Sequence, residues 1–210
     1  MEKGKFIVLE GIDGSGKTSQ IGPLVERLKG RGVSCRADRE PTGGPVGSLI
    51  RQIFTGRVTA DNRVIAALYA ADRLDHLVNE VDGVCAAIDQ GTTVVSDRYY
   101  FSSYAYHSVD VDMEWVIGAN ALSAGLLRPT LTVFLDVPVE AALARIRQNR
   151  FVEEIFDQED RLRRTRELYF EAFERLKDVE RVEVVDGTGA PEEVAARIWA
   201  AVSSCFAENS

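Results

Sequence analysis

The chain predicts an α/β fold: a five-stranded, mostly parallel sheet with helices on both faces. Three observations point to it. Short β-type runs alternate with longer stretches of helical period, the pattern of strand–helix–strand units. The first run, Phe6 to Leu9, is continuously apolar and ends in glycines, as buried parallel strands do. The 210 residues carry no internal repeat and no Pro/Gly/Ser-rich linker, so residues 1–210 read as one domain. Right-handed crossovers are the default for such a sheet.

The elements follow in order. After the strand Phe6–Leu9, Lys17 to Lys29 reads as a helix with Gly22-Pro23 inside it. A proline there removes one backbone donor and is expected to bend or interrupt the helix. Val33 to Ala37 is a weaker second strand. Arg63 to Gln90 reads as one long helix, with Leu68, Ala71, Leu74, Leu77 or Val78, Val81, Cys85 and Ile88 at helical spacing. Thr92–Ser96 and Leu131–Val137 are strong strands, and Arg181–Val185, alternating valine with polar residues, is the last. Asp112–Ala121, Val139–Arg147, Asp160–Leu176 and Pro191–Ser204 complete the helices. The last opens on a proline and two glutamates, which suit a helix start.

Composition narrows the function classes. With 45% hydrophobic and 28% charged residues, the chain matches neither a disordered, a collagen-like nor a coiled-coil protein. A net charge of −8 argues against a nucleic-acid polymer as partner, which would demand a basic face, but leaves room for a local anion pocket. No apolar run approaches the ~18 residues of a membrane span. The first residues, MEKGKFIVLEGID, lack the apolar core and cleavage site of a signal peptide, so a cytoplasmic protein without membrane partners is expected. Cys35, Cys85 and Cys205 are far apart and odd in number, which fits a reducing compartment. Two histidines, His76 and His107, are too few for a His-rich metal site.

The strongest motif is Gly11-Ile12-Asp13-Gly14-Ser15-Gly16-Lys17-Thr18, which fits G-x-x-x-x-G-K-[ST]. It follows a predicted strand and opens a predicted helix, the context in which it works. Glycines let backbone N–H groups converge on phosphate oxygens, and the helix N-terminus adds partial positive charge. Lys17 would reach the β- and γ-phosphates, and the Thr18 hydroxyl would ligate Mg²⁺. The fold is therefore expected to be that of P-loop NTPases. Asp97-Arg98-Tyr99 closes a later strand, where functional groups of open α/β sheets collect. Asp97 there suits Mg²⁺ or its waters, and Arg98 suits charge moving between two phosphates. A surface salt bridge is the bland alternative. The D-x-x-G and guanine-reading N/T-K-x-D patterns of switch GTPases are absent.

Taken together, these segments resemble the thymidylate kinase family along most of the chain. FIVLEGIDGSGKTSQ is similar to the family's opening, with Asp13 at its acidic place. Arg39-Glu40-Pro41 followed by Gly47 and Ile50-Arg51 resembles its REP…G…IR segment. LYAADRLDH resembles the helix that meets the acceptor base, DRYYFSSYAYH the DRY…S…AYQ segment, and RPTLTVFLDVP the strand before the lid. Each is weak alone; their order and spacing are specific.

The resemblance implies roles. Arg73 would hydrogen-bond a thymine carbonyl and Tyr69 would stack on the ring. Tyr106 would lie against the sugar and exclude a ribose 2′-hydroxyl. Arg51 would bind the acceptor phosphate, Glu40-Pro41 would shape the acceptor pocket, and Ser102 joins them as a further candidate. Each has a plain counterpart: a packed core tyrosine, a solvated charge, a turn. Asp13 would orient the acceptor sugar, an arginine or the metal shell. A short mobile lid over about 145–159 carries Arg145, Arg147 and Arg150, a basic cluster in an acidic chain. Some family members keep a catalytic arginine inside the phosphate loop, where this chain has Gly14; others rely on lid arginines, and this chain resembles those. Arg145 and Arg150 thus join Asp13, Lys17 and Arg98 as the expected catalytic set. Arg166 and Tyr169, one helical turn apart, are further candidates for the acceptor side. The chain departs from the family pattern at His107, where glutamine is usual, at Tyr69, where phenylalanine is usual, at Gly22-Pro23, and in the lid QNRFVEEIFDQED.

The implied reaction moves the γ-phosphoryl group of Mg-ATP to dTMP, giving dTDP and ADP, in a protein that forms homodimers. The competing readings are a kinase of the same fold with another acceptor, such as dUMP, a deoxynucleoside or a small metabolite, and a nucleotide-dependent switch or binding protein.

Overall fold

A computed structural model describes residues 2–149 and 156–206. The strands are β1 (Phe6–Glu10), β2 (Cys35–Arg39), β3 (Thr93–Asp97), β4 (Leu131–Asp136) and β5 (Val182–Asp186). The helices are α1 (Lys17–Lys29), α2 (Pro45–Phe54), α3 (Asn62–Val78), α4 (Val84–Asp89), α5 (Tyr100–Tyr106), α6 (Met113–Leu126), α7 (Val139–Asn149), α8 (Phe156–Leu176) and α9 (Pro191–Ser203). The strands form one sheet in the order β2-β3-β1-β4-β5, and every pairing is parallel.

Alternation along β1 explains the two cores. Phe6 and Val8 point to the face that holds Tyr99, Tyr100, Phe134 and Tyr169. Ile7 and Leu9 point to the other face, against Leu24 and Val25 of α1 and Ile198 of α9. Phe6, Ile7, Val8 and Leu9 are all buried, which is why the run reads as continuously apolar. Register then sets the site. Leu9 and Arg39 both pair with Asp97, so the carboxyl ends of β1, β2 and β3 finish side by side.

The helices differ from expectation in five places. α1 runs unbroken through Pro23. Only one ladder hydrogen bond is lost there, and burial of Ile21, Leu24, Val25 and Leu28 holds the helix to the sheet. The long helix expected over Arg63–Gln90 is two helices. The Asn79 side chain accepts from Val81 N at 3.0 Å and its carbonyl accepts from Gly83 N at 3.0 Å, a turn that ends α3 before α4 begins. α2 and α5 are new; α2 opens on Pro45, which is preset for a first helical turn. α6 continues to Leu126, beyond the expected Ala121.

The segment read as a lid lies partly outside the described residues, and so does Arg150. Its flanks are the end of α7 and the start of α8. No described helix is long and apolar enough to cross a membrane.

Candidate active site

The phosphate loop begins where β1 ends. Gly14 has a φ of +79°, and a Cβ built there would overlap the Ala142 carbonyl oxygen of α7. The loop therefore packs directly on α7 at Gly14. Lys17 is the first residue of α1; it is buried, and its Nζ donates to the Ile12 carbonyl at 3.3 Å. Burial, with Arg98 adding like charge, pushes the Lys17 ammonium down to about 8. Anionic oxygens placed in the loop would raise that value again. Arg145 clasps the same loop from α7: Nη1 donates to the Ser15 and Gly14 carbonyls at 3.0 and 3.3 Å, and Nη2 to the Gly187 carbonyl at 3.1 Å. It thus ties the loop to the turn after β5. Arg147 stands on the exposed side of α7.

Thr18 and Asp97 meet at the next layer. Thr18 Oγ1 donates to Asp97 Oδ2 at 2.5 Å, while Asp97 Oδ1 is buried with no hydrogen-bond partner among the described residues. An orphaned carboxylate oxygen beside a threonine hydroxyl is an all-oxygen donor set, the kind that a hard cation such as Mg²⁺ takes. The residues present fit that ion.

Arg98 follows Asp97 with a φ of +77°, a conformation a side chain-bearing residue rarely adopts. The turn is over-determined: Arg98 N donates to the Leu9 carbonyl at 3.0 Å, and the Ser96 hydroxyl donates to the Arg98 carbonyl at 2.8 Å. It sends the guanidinium across the mouth of the loop. Nη2 donates to Asp13 Oδ1 at 2.5 Å, Nη1 to Ser102 Oγ at 2.9 Å, and the group lies 4.9 Å from the centre of the Tyr106 ring. The Tyr106 hydroxyl in turn accepts from Asp13 N at 2.8 Å. Asp13, Arg98, Ser102 and Tyr106 are therefore one cluster, next to Lys17 and Thr18.

Beneath it lies a residue that motif reading missed, Glu10. It is fully buried and accepts from Tyr99 N (2.9 Å), Ser102 N (3.1 Å), Ser102 Oγ (2.6 Å) and Tyr169 OH (2.9 Å). Burial raises its carboxyl, opposed by Arg98 and these donors. Glu10 seats Ser102, which seats Arg98. Tyr169 belongs to this cluster, whereas Arg166 turns away and forms a two-point pair with Asp136 at 2.6 and 2.7 Å.

The remaining acceptor candidates line the other side. Tyr69 packs against His107, ring centres 4.9 Å apart, and against Phe54 at 6.3 Å. Burial, with Arg73 and Arg161 nearby, lowers His107 to about 4, so it is neutral at physiological pH. A cavity of about 230 Å³ opens there between Asp13, Phe54, Tyr106, His107 and Arg161. Arg73 is buried behind this wall, paired with Glu40 at 2.6 Å. Pro41 follows Glu40 through a cis peptide bond. Arg51 reaches back from α2 to the Thr42 carbonyl at 2.5 Å, the Pro41 carbonyl at 3.4 Å and Ser48 Oγ at 3.0 Å, bracing the turn that carries Glu40.

A glycine-rich loop between β1 and α1, with Lys17, the Thr18–Asp97 pair and Arg98 gathered beside it and a further pocket past Arg98, defines the P-loop kinase class. Comparison with known proteins narrows the class. The thymidylate kinase family model matches residues 9–198. A thymidylate kinase of Thermomicrobium roseum is 38% identical over 202 residues, covering 94% of each chain. One from Syntrophotalea carbinolica is 36% identical over 214 residues, covering 96% of each. A probable thymidylate kinase of Pyrococcus horikoshii is 34% identical over 206 residues, covering 95% of this chain and 96% of its own. The chain belongs to the thymidylate kinase family.

Proposed function

We propose that this protein transfers the γ-phosphoryl group of ATP to the 5′-phosphate of dTMP, giving dTDP and ADP. The observation that carries the reading is the Arg98–Asp13 contact at 2.5 Å. It joins the loop that would hold the donor to the wall that would hold the acceptor.

The chemistry follows from the residues. The acceptor phosphate oxygen is already anionic, so it attacks the γ-phosphorus without a strong general base, and the bond to the β–γ bridging oxygen breaks. Positioning and charge neutralisation do the work. Lys17 and the loop N–H groups would hold the donor phosphates. Arg98 would lie between the two phosphates, and Arg145 would keep the loop shaped. Thr18 and Asp97 would hold Mg²⁺ brought with ATP, which when bound offsets charge on the β- and γ-phosphates. Tyr69 and Arg73 would read the base, Tyr106 the sugar, and Arg51 and Pro41 would frame the acceptor phosphate. Arg150 belongs to the proposed set through its place in the lid sequence.

Assembly and place follow the same reading. One sheet with helices on both faces supports a single domain over 1–210. Trp115, Leu122 and Leu126 lie on one face of α6 and are exposed, and such a face suits the homodimer the family reading implies. Sedimentation velocity checks the dimer. Three cysteines without disulfides suit a cytoplasmic, reducing setting.

The deciding experiment is ADP formation from Mg-ATP against dTMP, dUMP, dCMP, dGMP, AMP and the ribose form of TMP. A strong preference for dTMP is the expected result. Preference for another acceptor overturns the base pocket, and no acceptor-stimulated ADP from folded, ATP-binding protein overturns the kinase reading.

A further inference from the structure

Arg73 is 1% exposed and directs four of its five N–H groups into the protein. Nε and Nη2 both reach one oxygen, Glu40 Oε2, at 2.9 and 2.6 Å. Nη1 donates to Ser103 Oγ at 3.0 Å and to Asn120 Oδ1. One N–H on Nη2 is left. The direction of that single donor depends on how Glu40 is held.

Glu40 is held by His76. The two sit on opposite sides of a buried contact: His76 Nδ1 is 3.1 Å from Glu40 Oε1, the oxygen Arg73 does not use. His76 Nε2 lies 3.4 Å from Asp38 Oδ2. His76 comes three residues after Arg73 on α3, so both project from the same face of that helix. Asp38 is fixed from outside by Arg36 at 2.9 Å. Both imidazole nitrogens face carboxylate oxygens, a setting that favours the ring protonated on both.

We infer that His76 is a positioning residue for the acceptor site, clamping Glu40 so that Arg73 presents its remaining donor in one direction. The geometry carries the point. An unrestrained buried carboxylate and guanidinium relax to a two-point fork, one nitrogen on each oxygen. Here Arg73 places two nitrogens on one oxygen because His76 occupies the other. Removing His76 frees Glu40 to rotate into the fork, and the guanidinium turns with it. The inference rests on the reading of Arg73 as the residue that meets the acceptor base.

Steady-state kinetics of His76→Leu and His76→Asn test it. Asparagine can keep a donor toward Glu40; leucine cannot. The leucine variant is expected to raise the KM for dTMP about tenfold, with kcat and the KM for ATP changed less than about twofold. The asparagine variant should recover most of the loss. A normal KM for dTMP in folded His76→Leu overturns the inference. So does an equal rise for dTMP and ATP in both variants, the sign of general loosening. If the leucine variant does not fold, Asp38→Asn, which loosens His76 from its far side, should still raise the KM for dTMP about two- to threefold; no rise overturns the proposal. Arg73→Gln separates the two levels. A normal KM for dTMP there overturns the base-pocket reading itself, whereas a raised one beside a normal His76→Leu overturns only the role of His76.

Discussion

Arg98 and Asp13, 85 positions apart in the chain, meet at 2.5 Å across the gap between the end of β3 and the phosphate loop. The contact exists because Arg98 holds a φ of +77° that aims its side chain back over the loop. Strain of this kind costs on the order of 1–3 kcal/mol and persists where its surroundings over-determine it. Here the Leu9 carbonyl and the Ser96 hydroxyl do so. Replacing Arg98 separates strain from chemistry. Arg98→Gly relieves the conformation and removes the guanidinium, so thermal stability should hold or rise while kcat falls about 100-fold or more. Arg98→Ala should lose the same activity without the gain in stability. Melting curves set beside initial rates decide it, and near-normal turnover in either variant would end the assignment of Arg98.

Gly14 carries the second prediction. Family members with an arginine at this place draw on it for catalysis, but here α7 packs where a Cβ would stand, at a φ of +79°. Gly14→Arg should therefore not add a catalytic group. It should push the loop off α7, break the Arg145 clasp on the Gly14 and Ser15 carbonyls, and raise the KM for ATP about tenfold or more. Improved turnover in this variant would show that the loop and α7 yield more easily than their contact implies.

The parts of the site that were legible beforehand are those written locally. The phosphate loop is eight consecutive residues, and Asp97-Arg98 ends a strand of obvious character. Glu10 was not legible, because its meaning lies in Ser102 and Tyr169, 92 and 159 residues away. The same holds for the Glu40–His76 contact, 36 residues apart, since nothing in DRLDH says that one histidine faces a carboxylate on another segment. Among the helices, apolar periodicity carried the reading of Arg63–Gln90 straight through Asn79, where a local side-chain turn outranked it. α5 does not show in the sequence, because all but its last residue are buried and no polar face marks a helical period.

Glu10 yields a stability prediction. Four donors converge on its carboxylate in the core, so Glu10→Ala leaves two backbone N–H groups and two hydroxyls without that acceptor and should cost about 3–5 kcal/mol. Glu10→Gln is isosteric. Its carbonyl oxygen can keep the Tyr99 and Ser102 N–H groups, and the Ser102 and Tyr169 hydroxyls can turn to accept from its amide. This variant should remain folded but lose the negative charge that faces Arg98, lowering kcat more than either KM. Urea unfolding ranks the two variants; a glutamine variant as unstable as alanine would show that charge, not hydrogen bonding, holds the cluster.

Lys17 gives a proton-linked prediction. Its folded-state value of about 8 lies below the ordinary 10.5 because burial and Arg98 disfavour the charge. Phosphate oxygens beside Nζ favour it, so ATP binding should raise the value and draw a proton from solvent. At pH 8 the uptake should be about half a proton per site, falling toward zero at pH 6.5, where Lys17 is already charged. Titration calorimetry in buffers of different ionisation enthalpy measures it directly. Release in place of uptake, or uptake undiminished in Lys17→Met, would assign the proton to another group.

His76 titrates in the opposite sense and can be told apart from Lys17. Burial alone would lower its value, but the hydrogen bonds and charges of Asp38 and Glu40 outweigh burial and push it up to about 9. The groups around it are Asp38 and Glu40 from β2 and the turn beyond, Arg36 behind Asp38, Arg73 from its own helix, and Asp75, which lines the same cavity. Because the folded value lies above the unfolded 6.5, the stabilisation is fully present below pH 6.5 and is lost as pH rises through about 9. It amounts to roughly 3 kcal/mol. Lys17, whose folded value is depressed, contributes with the reverse slope between about 8 and 10.5, a range that overlaps that of His76, so the wild type alone mixes the two. The difference between wild type and His76→Asn isolates the histidine: the two unfolding midpoints in urea should be well separated at pH 6 and converge by pH 10. A separation that is constant with pH would mean that the imidazole is held neutral, and that Glu40 is oriented by packing and not by a proton on His76.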